Sequence, residues 1–276
     1  MQRSMSLVGK SQSTLTNYSR CLAHLAFHFN CSPIELDTEQ VLDYLHFLKD
    51  QHHTPSESFF KHTVYGLRYV YRLFDMEDRR ISLPSIARDK KLPVVLSKEE
   101  MRRLLNTPKL LKHRLVLAVL YGCGLRCFEL RNLQIKDIDF HRLTLHVRRG
   151  KGRKDRYVPI SHHLKRGIKT YLEAERPKQW LFNGCQPDGK LVAMSSQGIQ
   201  WIVGQARKES GISKDLTTHT LRHTYATHLL EDGLDILSIK ELLGHAHIET
   251  TLVYLHVSHL GRNKPFSPLD TLFTKQ

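Results

Sequence analysis

The sequence predicts a mainly α-helical protein with a small antiparallel β-sheet, built as a helical N-terminal domain and a mixed α/β second domain. Three observations carry this. Apolar residues recur at helical spacing between Ser11 and Asp78, and the chain reads as helical again from about Ser195. Between these stretches "RLTLHV" alternates at strand period and is followed by a plausible partner strand, "RYVPI". Finally, "RRISLPSIARDKKLPVVL", Arg79 to Leu96, carries two prolines, many charges and no sustained period, as an inter-domain linker does. The boundaries drawn from this are residues 1–80, a linker over 81–96, and 97–276 including a C-terminal tail. A chain of 276 residues has the length for two domains.

Taken in order, residues 1–10 form a loose lead-in. "TPSESFF" starts a helix, with Thr54 as N-cap, Pro55 at the first position and Glu57 at the third. On that helix Phe60, Val64, Leu67, Tyr71 and Phe74 make one stripe, expected in the core. Lys61, Tyr65, Arg68 and Arg72 make a second, either a solvated face or one that touches phosphates. Ser97 and Glu100 form the capping box of the next helix. "LVLAVLYGCGL", Leu115–Leu125, is the longest apolar run; it is too short to span a bilayer and reads as a buried helix. Leu143, Leu145 and Val147 line one side of the first strand, and "RGKGRKD" turns the chain into the second. Asp232-Gly233 and Gly244 stop the later helices.

Lysine and arginine total 42 against 27 acidic residues, a net charge of +15, so the expected partner is a polyanion, nucleic acid first. No signal peptide is expected at the N-terminus. Five cysteines, an odd number without a C-x-x-C pair, argue against a disulfide framework or cysteine-rich zinc site and for a reducing cytosol. The expected location is cytoplasmic and nucleoid-associated.

The chemistry concentrates in "HTLRHTYATH", residues 219–228. His219 and His223 have helical spacing for a shared ligand, but His228 falls nearly opposite His219, and no H-E-x-x-H pattern is present; no metal is expected. Leu221, Tyr225, His228 and Leu229 form the expected core side, while His219, Arg222 and His223 share another. There, His219 and Arg222 can hold one phosphate. His223 reads equally as a neighbour of that pair or as an ordinary helix-face histidine. Arg126 adjoins a buried helix, an expensive place for a cation unless it is paired or used, and Glu129 lies three residues on. Lys151 sits between two glycines at the hairpin tip, among six basic residues from Arg148 to Arg156 that include Arg149, Arg153 and Lys154. These four arginines and lysines around Lys151 (Arg148, Arg149, Arg153, Lys154), with Lys61, Arg68 and Arg72, are the candidate DNA contacts. His245 follows a helix-stopping glycine, and Tyr254 lies nine residues beyond it.

With these stretches in hand, "YGCGLRCFELRNLQIKDID", "GKGRKDRYVPI" and "HTLRHTYATHLLEDGLDILSIKELLGHAHIETTLVY", the chain resembles the tyrosine recombinases of the phage-integrase and Xer superfamily from about Ser97 to Val257. The resemblance implies a helical core-binding domain ahead of a catalytic domain of that type. It implies that Arg126 and Arg222 clamp the scissile phosphate, assisted by His219 and His245, with Lys151 on the hairpin, Glu129 supporting the first arginine and Tyr254 as nucleophile. The chemistry is consistent with those roles. Two guanidinium groups offset charge that grows in the transition state, His219 could take the phenol proton, and Lys151 could protonate the leaving 5′ oxygen. Tyr225 and Tyr157 are not excluded by spacing; the resemblance chooses Tyr254. Cys127-Phe128 departs from the small or aliphatic residues commoner after the first arginine.

The implied activity is cleavage and rejoining of double-stranded DNA through a 3′-phosphotyrosyl link, without cofactor. It would run in a homotetramer with two protomers per site, with an accessory directionality factor as a further partner and no membrane. Integration or excision of a mobile element is the leading programme; Xer-like chromosome-dimer resolution, type IB topoisomerase-like relaxation and non-catalytic DNA regulation are the alternatives. The tail, with Leu269, Leu272 and Phe273, is expected to dock on its own domain or on a neighbour's.

Overall fold

The computed structural model describes residues 12–50, 57–84, 92–148, 155–186 and 188–258. The chain divides into two compact units, Met1–Lys90 and Lys91–Gln276.

The first unit is helical: α1 (Gln12–Phe29), α2 (Thr38–Asp50), α3 (Glu57–Leu73) and the short α4 (Glu77–Ser82). α1 lies along α3, where a side chain at Gly66 would press on Leu22. The core gathers Leu22, Leu25, Leu36, Tyr44, Leu45, Val64, Leu67 and Tyr71. Arg79 donates to the carbonyls of Ile34 (2.9 Å) and Leu36 (2.5 Å), fixing α4 against the α1–α2 connection. Thr54 and Pro55 lie outside the described residues. Of the apolar stripe on α3, Val64, Leu67 and Tyr71 are buried and Phe60 is partly so. Phe74 departs from it: the helix ends at Leu73, Asp75 turns with φ +53°, and Phe74 is 58% exposed. A stripe keeps its direction only while the helix lasts.

The second unit is mixed. α5 (Lys98–Asn106) opens with the expected capping box: the Ser97 hydroxyl accepts from the Glu100 N–H, and the Glu100 carboxylate accepts from the Ser97 N–H. α6 (Leu111–Gly122) is buried through Leu115, Val116, Leu117, Val119 and Leu120, and α7 (Cys127–Arg131) follows a turn at Gly124. Strands β1 (Ile138–Asp139), β2 (Thr144–Val147) and β3 (Arg156–Pro159) form an antiparallel sheet in that order, with Leu145 opposite Val158 and Val147 opposite Arg156. Leu145 and Val147 point into the core as expected. Leu143 does not extend the strand; its φ of +54° makes it a turn residue, whose carbonyl accepts from the Ile160 N–H.

After α8 (His162–Glu175) comes a two-stranded sheet, β4 (Asn183–Cys185) and β5 (Leu191–Ala193), which the sequence reading lacks because three residues are too few to show a period. Helices α9 (Ser196–Ser210), α10 (Thr218–Glu231), α11 (Ile236–Leu243) and α12 (Glu249–Leu252) then lead into a 3-10 turn, Val253–His256. Gly211, Gly233 and Gly244 all take left-handed φ at or just past helix ends.

α10 runs through the middle of this unit. It packs against α6, α9, α11 and the Val253–His256 turn. Its expected division into a core side and a phosphate side does not hold. Leu221, Tyr225 and His228 are buried, but so are Thr218, Thr220, Arg222, Thr224 and Thr227, on every side. Neighbours surround it, so burial tracks position in the unit and not the helical wheel. Among the described residues no helix is long and apolar enough to cross a membrane.

Candidate active site

The site is organised by one carboxylate. Glu129, on α7, is buried, and three arginines from three parts of the chain surround it. Arg126 caps the helix start: its N–H donates to Oε2 and its Nη1 to Oε1, both at 2.8 Å. Arg156, on β3, grips the same carboxylate with Nη1 (2.9 Å) and Nη2 (2.8 Å), while its Nε donates to the Leu242 carbonyl at 2.7 Å. Arg222 stands 3.7 Å from Oε2. Burial by itself would raise the Glu129 carboxyl; the hydrogen bonds and charges of Arg156 and Arg126 bring it down to about 2.

Arg222 is 3% exposed and is held by two carbonyls, Gly124 through Nη1 (2.6 Å) and Leu243 through Nη2 (2.5 Å). Burial and the nearby Arg126 pull its pKa down to about 9, against Glu129, so it stays a cation at neutral pH. Gly124 is required here twice over. Its φ is +57°, and a Cβ would fall 2.4 Å from the Tyr225 ring. That contact also accounts for Tyr225: it is a packing residue against the turn that presents a carbonyl to Arg222.

The histidines differ among themselves. His219 presents an exposed edge, and the atoms packed on the rest of its ring, with Arg222 and Arg126, lower its pKa. His245, just past α11, bonds through Nδ1 to the Thr251 hydroxyl (2.9 Å), and burial beside Arg222 and Arg126 takes it down to about 3. His223 is the one that reaches the tyrosine: its Nδ1 lies 3.0 Å from the Tyr254 hydroxyl. Burial, His219 and Arg222 bring it down to about 4. His228, on the far side, joins the Tyr121 hydroxyl and the Leu96 carbonyl, each at 2.9 Å, a structural bridge to the start of the unit.

Tyr254 is 1% exposed, packed among Tyr225, Ala226, Leu230, Ile239 and Leu243. Burial raises its pKa, and Arg222 and Arg126 oppose the rise without cancelling it. The resting phenol is therefore protonated.

The structure thus brings Arg126, Glu129, His219, Arg222, His245 and Tyr254 into one neighbourhood. Lys151, with Arg149, Arg153 and Lys154, lies outside the described residues. Arg148 pairs with the buried Asp137 at the base of the hairpin. On α3, Arg68 donates to the Pro84 carbonyl at 2.9 Å and sits over the Tyr65 ring, and Arg72 is exposed. Lys61 is half-buried on the same helix. Two residues stand out, one that the sequence did not mark and one that it left open. Arg156 is one of the hairpin's six basic residues, yet its guanidinium is spent on Glu129 and Leu242; its strand position opposite Val147, on the same face as buried Val158, was the available signal. His223 carried no signal apart from its place beside Arg222. Cys127 and Phe128 flank the first arginine: Cys127 is half-buried against the Ser196 carbonyl, and Phe128 is exposed. Among the described residues no group of three or more His, Cys, Asp or Glu is placed to hold a metal ion.

Residues 94–260 match the phage integrase family model, more than half of the chain. The chain belongs to the phage integrase family. Its relatives agree. It is 33% identical over 274 residues to a putative integrase/recombinase, y4qK, of Sinorhizobium fredii, covering 99% of this chain and 88% of the relative. It is 35% identical over 259 residues to the tyrosine recombinase XerA of Thermococcus onnurineus, covering 92% and 88%. A crystal structure of XerA recombinase superposes with a TM-score of 0.58 at 28% identity, covering 96% of both chains. A lambda integrase (75–356) dimer bound to a COC′ core site gives a TM-score of 0.73 over 96% of both chains, at 19% identity a likeness of fold. This integrase-family chain is a tyrosine recombinase, of the class of enzymes that cleave and rejoin DNA through a phosphotyrosine without a metal.

Proposed function

We propose that this protein is a site-specific recombinase in which Arg126 and Arg222 receive the scissile phosphate and Tyr254 attacks it. One observation carries the reading: both arginines converge on the single buried carboxylate of Glu129, and both act electrostatically on the Tyr254 phenol. A carboxylate held down at about 2 stays charged, so it orients two like-charged guanidiniums that would otherwise repel. Arg156 takes up much of that carboxylate and anchors it to the end of α11, leaving Arg126 and Arg222 as the phosphate ligands. His219 and His245 add donors at the rim. The phenol oxygen forms a bond to phosphorus, the bond to the 5′ oxygen breaks, and Lys151 supplies that oxygen's proton. The 3′-phosphotyrosyl link keeps the energy of the broken bond until a second 5′ hydroxyl displaces the tyrosine.

Lys61, Arg68, Arg72, Arg148, Arg149, Arg153 and Lys154 are proposed to contact duplex phosphates. The assembly is proposed as four protomers on two sites in the cytoplasm, associated with the nucleoid, and the programme as integration or excision of a mobile element. The identity to XerA favours a second programme, chromosome-dimer resolution.

The test uses nicked suicide duplexes built from DNA flanking the gene, with EDTA present. Wild type is expected to form a denaturation-resistant protein–DNA adduct, and Tyr254→Phe none. An adduct with both would move the nucleophile elsewhere. Deleting residues 262–276 is expected to abolish synapsis while leaving cleavage; unchanged synapsis excludes a role for the tail in trans.

A further inference from the structure

The sequence offers His219 as the acceptor of the phenol proton, but the geometry points to a different residue. We infer that His223 is the general base that deprotonates Tyr254 during cleavage, and the general acid that returns the proton on rejoining. The inference deepens the recombinase reading and rests on it.

Three observations carry it. His223 Nδ1 is 3.0 Å from the phenol oxygen, within reach for direct transfer, and its ring centroid is 5.7 Å from that of Tyr254. Neither His219 nor His245 has a hydrogen bond to that oxygen among the described residues; His245 spends Nδ1 on Thr251. The phenol is buried and raised, so nearby cations alone do not ionise it.

The charged and titratable groups facing His223 are His219 and Arg222 on α10, Tyr254 on the 3-10 turn, and His245 after α11. Burial with His219 and Arg222 holds His223 neutral at physiological pH, the state able to accept a proton. With the proton on Nε2, Nδ1 presents its lone pair to the phenol. As Tyr254 bonds to phosphorus, its proton passes to Nδ1, giving an imidazolium whose charge is partly offset by the arriving phosphate. On rejoining, the 5′ hydroxyl attacks phosphorus as its proton returns to the Lys151 amine, the bond to the tyrosine oxygen breaks, and the imidazolium returns its proton to that oxygen. Proton and electron pairs balance in both directions.

The experiment measures single-turnover cleavage of nicked suicide duplexes tiled across the gene's flanking DNA. They carry either the normal 5′ oxygen or a 5′-bridging phosphorothiolate, whose sulfur leaves without an acid. His223→Gln keeps a polar group near the phenol but is a very weak base, and His223→Ala removes it. Both are expected to bind the duplex as wild type does, and to cleave about 100-fold or more slowly on oxygen and sulfur probes alike. Lys151→Ala should be restored by sulfur. The wild-type rate on the sulfur probe should fall with acidification as one proton is taken up, and His223→Gln should lose that dependence. Wild-type speed in His223→Gln, or rescue of His223→Ala by sulfur, would overturn the assignment while leaving the recombinase reading intact. If both variants misfold, a wild-type sulfur-probe rate without that acid limb overturns it. No adduct with wild type across the tiled DNA would overturn both readings.

Discussion

α3 and α10 are helices of similar length that bury residues for opposite reasons. α3 carries a narrow apolar stripe, and apart from Thr63, buried with its hydroxyl donating to the Phe59 carbonyl, its described polar residues stand half-buried or exposed beside it. α10 has no such stripe: threonines, an arginine and a histidine are buried along with its apolar residues, and almost no position is exposed. α3 is held by one face and leaves the other for solvent or a partner. α10 is held all round, and its buried polar residues are answered by specific partners, except Thr227, whose hydroxyl has no hydrogen-bond partner among the described residues. Arg222 meets two carbonyls, His228 a hydroxyl and a carbonyl, and the Thr224 hydroxyl accepts from the Leu96 N–H at 3.1 Å and donates to the Thr220 carbonyl at 2.8 Å. The lesson is energetic. A helix can be central and polar where the surrounding elements satisfy nearly all of its groups, and such a helix can hold a cation ready for an anion with little reorganisation.

The comparison can be broken at the carboxylate beneath α10. Glu129→Ala leaves Arg156 and Arg222 buried without their anion and is expected to cost roughly 3–5 kcal/mol, read by urea denaturation. A loss comparable to that of a surface pair would mean the network is not needed to keep α10 in place. Next, Arg222→Lys keeps the charge but loses the planar fork that binds Gly124 and Leu243. Cleavage should fall about 100- to 1,000-fold while duplex binding changes little, and a lysine of near wild-type rate would show that α10 supplies charge without geometry.

Acid should sharpen the contrast further. His223 and His245 are lowered to about 4 and about 3 in the folded protein from 6.5, and His219 is lowered too. The unfolded chain therefore binds more protons as pH falls below about 6.5, and stability declines from there toward pH 3–4. Glu129, lowered from 4.5 to about 2, removes more across that lower window. Melting of the isolated residues 91–276 followed from pH 7.5 to 4 checks this; a flat profile would contradict it. The smallest effect belongs to α3. Arg72→Ala, at an exposed position, should leave stability within about 0.5 kcal/mol and lower the salt dependence of duplex binding by about one phosphate contact.

Much of this molecule is legible in its residues. The capping box at Ser97 and Glu100, the buried apolar helix, the β2–β3 pairing and the glycine stops depend on neighbours in sequence, so local rules found them. Within the site, Arg126 and Glu129 could be paired on paper because they sit three apart on one short helix. The recombinase resemblance rested on the same local stretches.

What tertiary structure alone decided is where long-range partners meet. Arg156 looked like one basic residue among six, and only the fold carries β3 to Glu129, 27 positions away. His223 and Tyr254 are 31 residues apart, and nothing in their spacing says that α11, α12 and a 3-10 turn bring phenol to imidazole. The same holds for α10, whose wheel showed a core side that burial did not respect. Periodicity records which face of an element prefers water, whereas the occupants of every other face are set by chain segments that the period does not see. The sequence by itself determined most of the elements, the charge and the set of chemical groups. The packing determined which of those groups touch, and so which arginine is structural and which histidine faces the tyrosine.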